Sequence, residues 1–248
     1  MKTVKVRLTF LEPMLGTLPA DEEIYRDYIA TKNPDRTPDQ VDAEVKALSE
    51  EVKEASDEVG RPITTFARIT LPDGSRIPAI YGYVLKGMFK NACSALRECE
   101  GTLSSELTSY KKKIDQLVFV NMNNPSGDPK SPIVLSDPSV YHDGILPICE
   151  RPLRAQTPQG ERVAISSSEE IPAGSTVDFE VTALNDLMFA LVFEWLDYGK
   201  LNGLGCWHNA GRGRFTYEVL EGDKRPEGIL LGATKKRGRK KKEETEAE

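Results

Sequence analysis

A glycine-rich stretch near the C-terminus, LNGLGCWHNAGRGRF at residues 201–215, holds the side chains best suited to bind a ligand. Glycine tolerates positive φ angles and lets another backbone approach closely. The stretch combines four glycines with an indole, an imidazole and two guanidinium groups: Gly203, Gly205, Gly211, Gly213, Trp207, His208, Arg212 and Arg214. Guanidinium groups and main-chain N–H groups bind phosphate, and an indole stacks on a base. The alternative is a tight connection whose tryptophan seals the core.

The order of elements around this stretch argues against two common nucleotide sites. The glycines follow a predicted apolar helix and precede a predicted strand, which is the reverse of a P-loop or a Rossmann turn. ATP and NAD are therefore disfavoured, and no cofactor is predicted.

The basic residues elsewhere are open to two interpretations. Lys86 and Lys90 lie one turn apart on a predicted helix, where they form either a solvated face or a phosphate contact. Arg151 and Arg154, in CERPLRAQT, either pair with nearby acids or contact nucleic acid as secondary residues.

Acid–base catalysis has few candidates, because the chain contains only two histidines, His142 and His208. The sequence has no Ser-His-Asp signature, no HExxH motif and no paired-carboxylate pattern, so it does not argue positively for an enzyme. Four cysteines lack metal-ligand spacing, so we predict reduced, mostly buried thiols and no metal site.

The net charge of −6 is distributed unevenly. Residues 21–60 contain thirteen acids and five bases, and they predict a charged helical insertion. The tail begins KKRGRKKK, with Lys235, Lys236, Arg237 and Arg239, and then becomes acidic. It is either a solubilising disordered tail or a disordered arm that binds nucleic acid without specificity.

Hydrophobic periodicity outlines the elements that position these residues. Residues 2–10 predict a strand rather than a signal peptide, and no segment approaches the roughly 20 apolar residues of a membrane span. A hairpin that turns at 72–74 precedes an amphipathic helix, and residues 121–140 predict an exposed loop. A β-rich region turns at 158–160 and leads to an apolar helix and a closing strand. We predict one cytoplasmic α+β domain over residues 1–234, with a tail over 235–248.

Four stretches in order resemble the RAMP superfamily, the RNA-binding proteins of CRISPR systems, and especially the repeating backbone subunit of class 1 effector complexes. They are KVRLTFLEPMLGT, IPAIYGYVLKGMFKNACSAL, EEIPAGSTVDFEVTAL and LNGLGCWHNAGRGRFTYEVL. The second retains Leu85, Lys86 and Gly87 of the family helix entry, but Tyr81-Gly82-Tyr83 replaces the family's GSS. The last reproduces the family's G-x-G-R. The chain is also similar in style to uncharacterised phage and prophage proteins.

The resemblance implies a ferredoxin-like, RRM-like core with inserted segments, single-stranded RNA along one face and subunits stacked side by side. Members that cleave their target place an aspartate in the loop after the first strand, where Asp21 is the nearest equivalent.

Three functions follow from the sequence. The first is a non-catalytic protein that binds single-stranded RNA or DNA and multimerises along the strand. The second is an endoribonuclease that uses His208 or His142. The third is a module that mimics a CRISPR subunit and binds proteins through residues 21–60.

Overall fold

A computed structural model of the protein describes residues 1–19, 63–71, 74–122, 129–142, 144–158 and 160–226, with a few positions between 26 and 46. Most of the predicted insertion at 21–60, with Asp21, and the whole tail at 235–248 lie outside the described residues.

The described elements are mostly strands, interrupted by two successive helices and later by a third. In chain order they are β1 (Lys2–Phe10), β2 (Met14–Leu15), β3 (Leu18–Pro19), β4 (Ile63–Thr65), β5 (Ala67–Thr70), β6 (Arg76–Tyr81), α1 (Gly82–Leu96), α2 (Tyr110–Leu117), β7 (Val118–Met122), β8 (Lys130–Val134), β9 (Ile148–Thr157), β10 (Gly160–Ile171), β11 (Thr176–Ala183), α3 (Asp186–Asn202) and β12 (Phe215–Gly222). The α+β class is confirmed.

Within a seven-stranded sheet, four strands lie in the order β12-β1-β11-β7, and each neighbouring pair is antiparallel. The other three continue the sheet from β11 in the order β8-β6-β5. α1 lies between β1 and β7 in the chain, and α3 lies between β11 and β12. This is the βαββαβ order of a ferredoxin-like core. The ferredoxin-like expectation is therefore confirmed by the strand order of this chain itself.

Alternation along β1 decides which face of this sheet becomes the core. Val4, Val6, Leu8 and Phe10 are buried, and the residues between them are only partly buried. α1 buries one stripe, with Leu85 and Phe89 fully enclosed. α3 is apolar nearly all round, and it is therefore buried on most of its surface. The Asn185 side chain caps its N-terminus by accepting a hydrogen bond from the Met188 N–H at 2.8 Å.

Two insertions extend this core. Residues between β1 and α1 supply β2 to β6, and residues between β7 and β11 supply β8 to β10. A second sheet has the order β2-β10-β4-β3, with β9 paired to β10 as a long hairpin. The predicted turn at 158–160 is consistent with this pairing, since β9 ends at Thr157 and β10 begins at Gly160.

The prediction of an exposed loop across 121–140 was wrong in part. β8 occupies residues 130–134 and pairs with both β6 and β11. Its polar residues are buried because distant strands satisfy them: the Lys130 ammonium donates to the Arg68 carbonyl at 2.8 Å, and the Ser131 hydroxyl donates to the Asp178 carbonyl at 2.6 Å. Proline and lysine content could not reveal these non-local partners.

A buried ion pair joins the two insertions. The Arg68 guanidinium donates to Glu169 Oε1 at 2.5 Å, and both side chains are fully buried. Main-chain N–H groups of Phe66 and Leu146 donate to the same carboxylate at 3.0 and 3.2 Å. Glu169 on β10 therefore links β5 and the segment before β9 through one side chain.

We predict that Glu169→Gln lowers the free energy of unfolding by about 3–5 kcal/mol, because the Arg68 charge stays buried without its partner. The control is Glu161→Gln on the same strand, where the exposed pair with Arg154 is 3.6 Å long and contributes less than about 1 kcal/mol. Urea unfolding measures both. Equal effects of the two substitutions would show that Glu169 has no special structural role.

Candidate nucleic-acid interface

A groove of about 610 Å³ separates the first half of α1 from the loop that follows α3. The helix lines it with residues between 83 and 91, and the loop lines it with residues 202–205 and His208. Thr17 and Asp115 complete the lining. The groove therefore brings together the glycine loop and Lys86, which are distant in sequence.

Lys86 and Lys90 contribute differently to the charge of this groove. Lys90 forms an ion pair with Asp115 at 2.6 Å. The Lys86 ammonium donates instead to the main-chain carbonyl of Asp115 at 3.3 Å and lies 5.4 Å from the centroid of the Phe119 ring. Burial lowers the pKa of Lys86, and attraction to Asp115 opposes this only in part. A bound anion would relieve the cost of keeping this ammonium charged.

The glycines of the loop are needed first by the protein's own main chain. Gly203 and Gly213 are buried and have φ angles of +86° and +68°. A Cβ at Gly213 would overlap the Leu204 carbonyl oxygen, and the Leu204 N–H donates to the Gly213 carbonyl at 2.9 Å. The Gly213 N–H donates to the Pro13 carbonyl, also at 2.9 Å. The expectation that a ligand lies against bare main chain is therefore not met at these two positions.

Two other glycines of the loop are more accessible. Gly205 is partly buried, with φ +91°, and a Cβ there would approach the Leu15 carbonyl oxygen at 2.9 Å. Gly211 has φ +84° with open space on its Cβ side. Gly211 alone among the four is thus required by its backbone angle and not by close packing.

Trp207 stands out because its φ of +58° places a bulky residue in the left-handed region. Such a conformation costs about 1–3 kcal/mol and persists only where the surroundings impose it. The Arg151 guanidinium lies 5.3 Å from the centroid of the indole, and Trp207 remains 38% exposed. Arg151 is itself buried and donates to the Ser168 hydroxyl at 3.1 Å. Arg151 is thus placed to support the indole and has little surface for a direct contact.

The two arginines of the loop have different surroundings. Arg212 forms an ion pair with Glu170 at 2.9 Å, and its guanidinium also lies 4.0 Å from the Cys149 sulfur. Arg214 is exposed, and no ion pair engages it within the described part of the chain. Arg154 is exposed too, on the β9–β10 hairpin, where it pairs with Glu161. Of these arginines, Arg214 has the charge most available to a ligand.

The two histidines lie in different environments. His208 is half-buried and lines the groove, and its Nδ1 is enclosed without a partner among the described residues. His142 is exposed in a short turn that its backbone closes with Ile145. No described contact joins the two imidazoles.

The cysteine prediction holds only in part. All four thiols are free, but only Cys93 is buried, and Cys99 is exposed. Burial raises the pKa of Cys93, Cys149 and Cys206, so these thiols stay protonated at neutral pH.

Among the described residues, no group of three His, Cys, Asp or Glu side chains could hold a metal ion. None of the described helices has the length and apolarity to cross a bilayer.

The sheet face opposite the helices is compensated in charge. Arg7 makes two contacts with Asp178, at 2.7 and 2.8 Å, and Asn121 donates to Glu180 at 3.0 Å. Phe119 is the large exposed aromatic residue on the described strands of this face. The cationic and aromatic features therefore concentrate at the groove and the loop instead.

Sequence reasoning missed several residues that line the groove. Four polar residues that share the groove with Lys86 were not singled out: Thr17, Asn91, Asp115 and Asn202. The available signal was the less buried side of α1, where Lys86, Lys90 and the neighbouring Asn91 lie opposite the apolar stripe. Asn202 and Thr17 come from distant parts of the chain and gave no such signal.

Comparison with known proteins adds only distant similarity. No protein-family model matches the sequence, and no curated protein matches it. A chain of the type III-B Cmr-beta complex bound to cognate target RNA has 11% identity and a TM-score of 0.43, with 90% of this chain and 60% of that chain covered. A chain of a type IV-B CRISPR complex has 14% identity and a TM-score of 0.42, with 94% and 93% covered.

The present chain thus spans about three fifths of the length of that Cmr-beta complex chain. At TM-scores below 0.5, neither structure carries the fold assignment, which rests on the strand order given above.

We predict that Gly213→Ala lowers the free energy of unfolding by about 3 kcal/mol or more. The new methyl group would overlap the Leu204 carbonyl oxygen, and alanine would also have to adopt an unfavourable positive φ. Gly211→Ala is the control: the φ is similar but the space is open, so the cost is about 1–2 kcal/mol. Thermal and urea unfolding compare the two. A Gly213 variant as stable as the Gly211 variant would contradict the packing described for this loop.

Proposed function

We propose that this protein binds single-stranded nucleic acid, RNA or DNA, along the groove between α1 and the loop after α3. The single observation that carries the proposal is the half-buried Lys86 ammonium, which lines an open groove with no carboxylate bonded to it among the described residues. Phosphate is the anion that a continuous strand supplies along such a groove.

The neighbouring loop supplies the remaining contacts. Arg214 offers an exposed charge for a phosphate, and Trp207 offers the open face of its indole to a base. Arg151 holds that indole from the other side as a positioning residue. An indole can stack only on a base that has left its own stack, and this favours a single strand over a duplex. The basic tail, with Lys235, Lys236, Arg237 and Arg239, adds salt-dependent attraction.

The resemblance to RAMP proteins supports the same assignment and adds side-by-side assembly along the strand. On the long hairpin, Val163 and Ile165 lie on one strand face and are 62% and 51% exposed. We propose that this apolar face packs against a neighbouring copy.

Sedimentation experiments with a variant that carries both Val163→Asp and Ile165→Asp test this contact. On a strand long enough for several copies, we expect fewer copies of the variant than of the wild type to bind. On a strand long enough for only one copy, the variant should bind as the wild type does. Undiminished loading would exclude the hairpin as the contact.

The main test is fluorescence anisotropy with labelled single strands and a matched duplex across a salt series. Removal of one phosphate contact reduces the slope of log affinity against log salt by about 0.7 for single strands. Lys86→Ala and Arg214→Ala should each reduce the slope by about that amount. Trp207→Ala should lower the affinity about tenfold at every salt concentration and leave the slope unchanged, because stacking involves no counterion.

The control for this experiment is Lys224→Ala. Lys224 is exposed beyond the far end of β12, roughly 25 Å from the loop by strand rise. It should leave both affinity and slope unchanged. If the Lys86 and Arg214 variants kept the wild-type salt slope, the groove would be excluded as the binding site. If the duplex bound as tightly as the single strand, the proposed preference for single strands would be contradicted.

A second function, endoribonuclease activity, is favoured by one observation, the position of His208 in the same groove. Asp115 also lines the groove, but its carboxylate is held by Lys90. We propose binding without cleavage, because no described carboxylate orients the His208 ring. Incubation of labelled RNA with the protein decides between them: cleavage that His208→Ala abolishes would establish the nuclease.

A further inference from the structure

We infer that a base of the bound strand stacks on Phe119, at the edge of the sheet beside the groove. This inference rests on the proposed function and deepens it, because it adds a second stacking residue and gives the direction in which the strand leaves the groove. The observation that carries it is that one side chain, Lys86, both lines the groove and lies over the Phe119 ring.

Lys86 and Phe119 belong to opposite faces of the seven-stranded sheet. Val118 is fully buried in the core that the helices cover, and Phe119 is the next residue of β7, so Phe119 lies on the open face. β7 pairs with β11 on one side, and no strand in the described part of the chain pairs with its other side. The Lys86 side chain therefore passes around this free edge, because its ammonium lies 5.4 Å from the ring centroid.

The Lys86 ammonium can hold a phosphate at this edge without leaving the ring. An ammonium has three donors, and the contacts within the described residues use one of them, to the Asp115 carbonyl at 3.3 Å. The Asp115 carboxylate is paired with Lys90 at 2.6 Å. The face of an aromatic ring also attracts a cation, which keeps the ammonium beside Phe119. A phosphate bound there brings the attached base next to the ring.

The Phe119 ring has room for that base. It remains 42% exposed with the Lys86 ammonium in place. Its direct neighbour across the sheet is Thr182, which is uncharged and whose hydroxyl lies 3.1 Å from the Thr3 hydroxyl. No carboxylate thus stands directly opposite the ring to repel a strand. An aromatic ring accepts any base, so this contact adds affinity without sequence preference.

Phe119 and Trp207 would then contact the strand from opposite walls of the groove. Trp207 belongs to the loop wall, next to His208, whereas Phe119 lies beside Lys86 of the helix wall. A strand that stacks on both rings crosses the groove from the loop toward the free edge of β7.

The experiment measures fluorescence anisotropy across a salt series. Its probes are an oligouridylate, an oligothymidylate and an abasic strand of equal length and charge. Phe119→Ala should lower the affinity for the strand that the wild type binds by about tenfold at every salt concentration. The salt slope should stay unchanged because Lys86 keeps its phosphate contact, and this unchanged slope also shows that the variant is folded. Phe119→Trp should retain the wild-type affinity, and the abasic strand should bind to the wild type and to Phe119→Ala equally.

Val134→Ala is the matched control. Val134 is 64% exposed on β8 and pairs with Thr176 of β11, which places it on the same open face as Phe119 but away from the groove. It should leave both affinity and slope unchanged.

Two outcomes would overturn the stacking on Phe119 and leave the proposed function intact. In the first, Phe119→Ala binds the base-containing strands as tightly as the wild type does. In the second, it loses affinity for the abasic strand to the same extent, which would show that the ring only positions Lys86. A wild-type protein that binds none of the strands would instead overturn the proposed function, and with it this inference.

Discussion

The close approach of main chain to main chain at residues 203–213 is the constraint on which the site depends. Gly213 donates to Pro13 and accepts from Leu204, so the loop after α3 is attached to the segment that follows β1. The same attachment fixes the position of His208 and Gly205 opposite α1. Without these contacts the loop would have no defined distance from the helix, and the groove would have only one wall. The glycines thus act on the ligand indirectly, by shaping the wall that faces it.

Electrostatics then distinguish the residues that this framework presents. Arg212 and Lys90 each have a carboxylate partner, whereas Lys86 and Arg214 have none among the described residues. A partly desolvated ammonium and a solvated guanidinium on neighbouring elements suit a polyanion that passes from one to the other. Backbone strain lies nearby at Trp207, whose φ is left-handed and whose ring is contacted by the Arg151 guanidinium.

Much of the core could be predicted from local pattern. Alternation identified β1, and the apolar stripes identified α1 and α3, because burial of one face imposes its period on the sequence. The composition of residues 121–140 gave the wrong answer for β8, since Lys130 and Ser131 are satisfied by strands far away in sequence. For the same reason the pairing of Arg212 with Glu170 and the burial of Arg151 could not be foreseen. Composition drew attention to the glycine loop, but its glycines were assigned to a ligand when the protein's own main chain accounts for Gly203 and Gly213.

The central claim is that a single strand lies in the groove between α1 and the loop after α3. Photocrosslinking of a strand that contains 4-thiouridine, followed by mass spectrometry of the peptides, tests the claim most directly. The account predicts crosslinks within residues 83–91 and 202–214. Crosslinks confined to the open sheet face around Arg7 and Asp178, with none in those two segments, would contradict it.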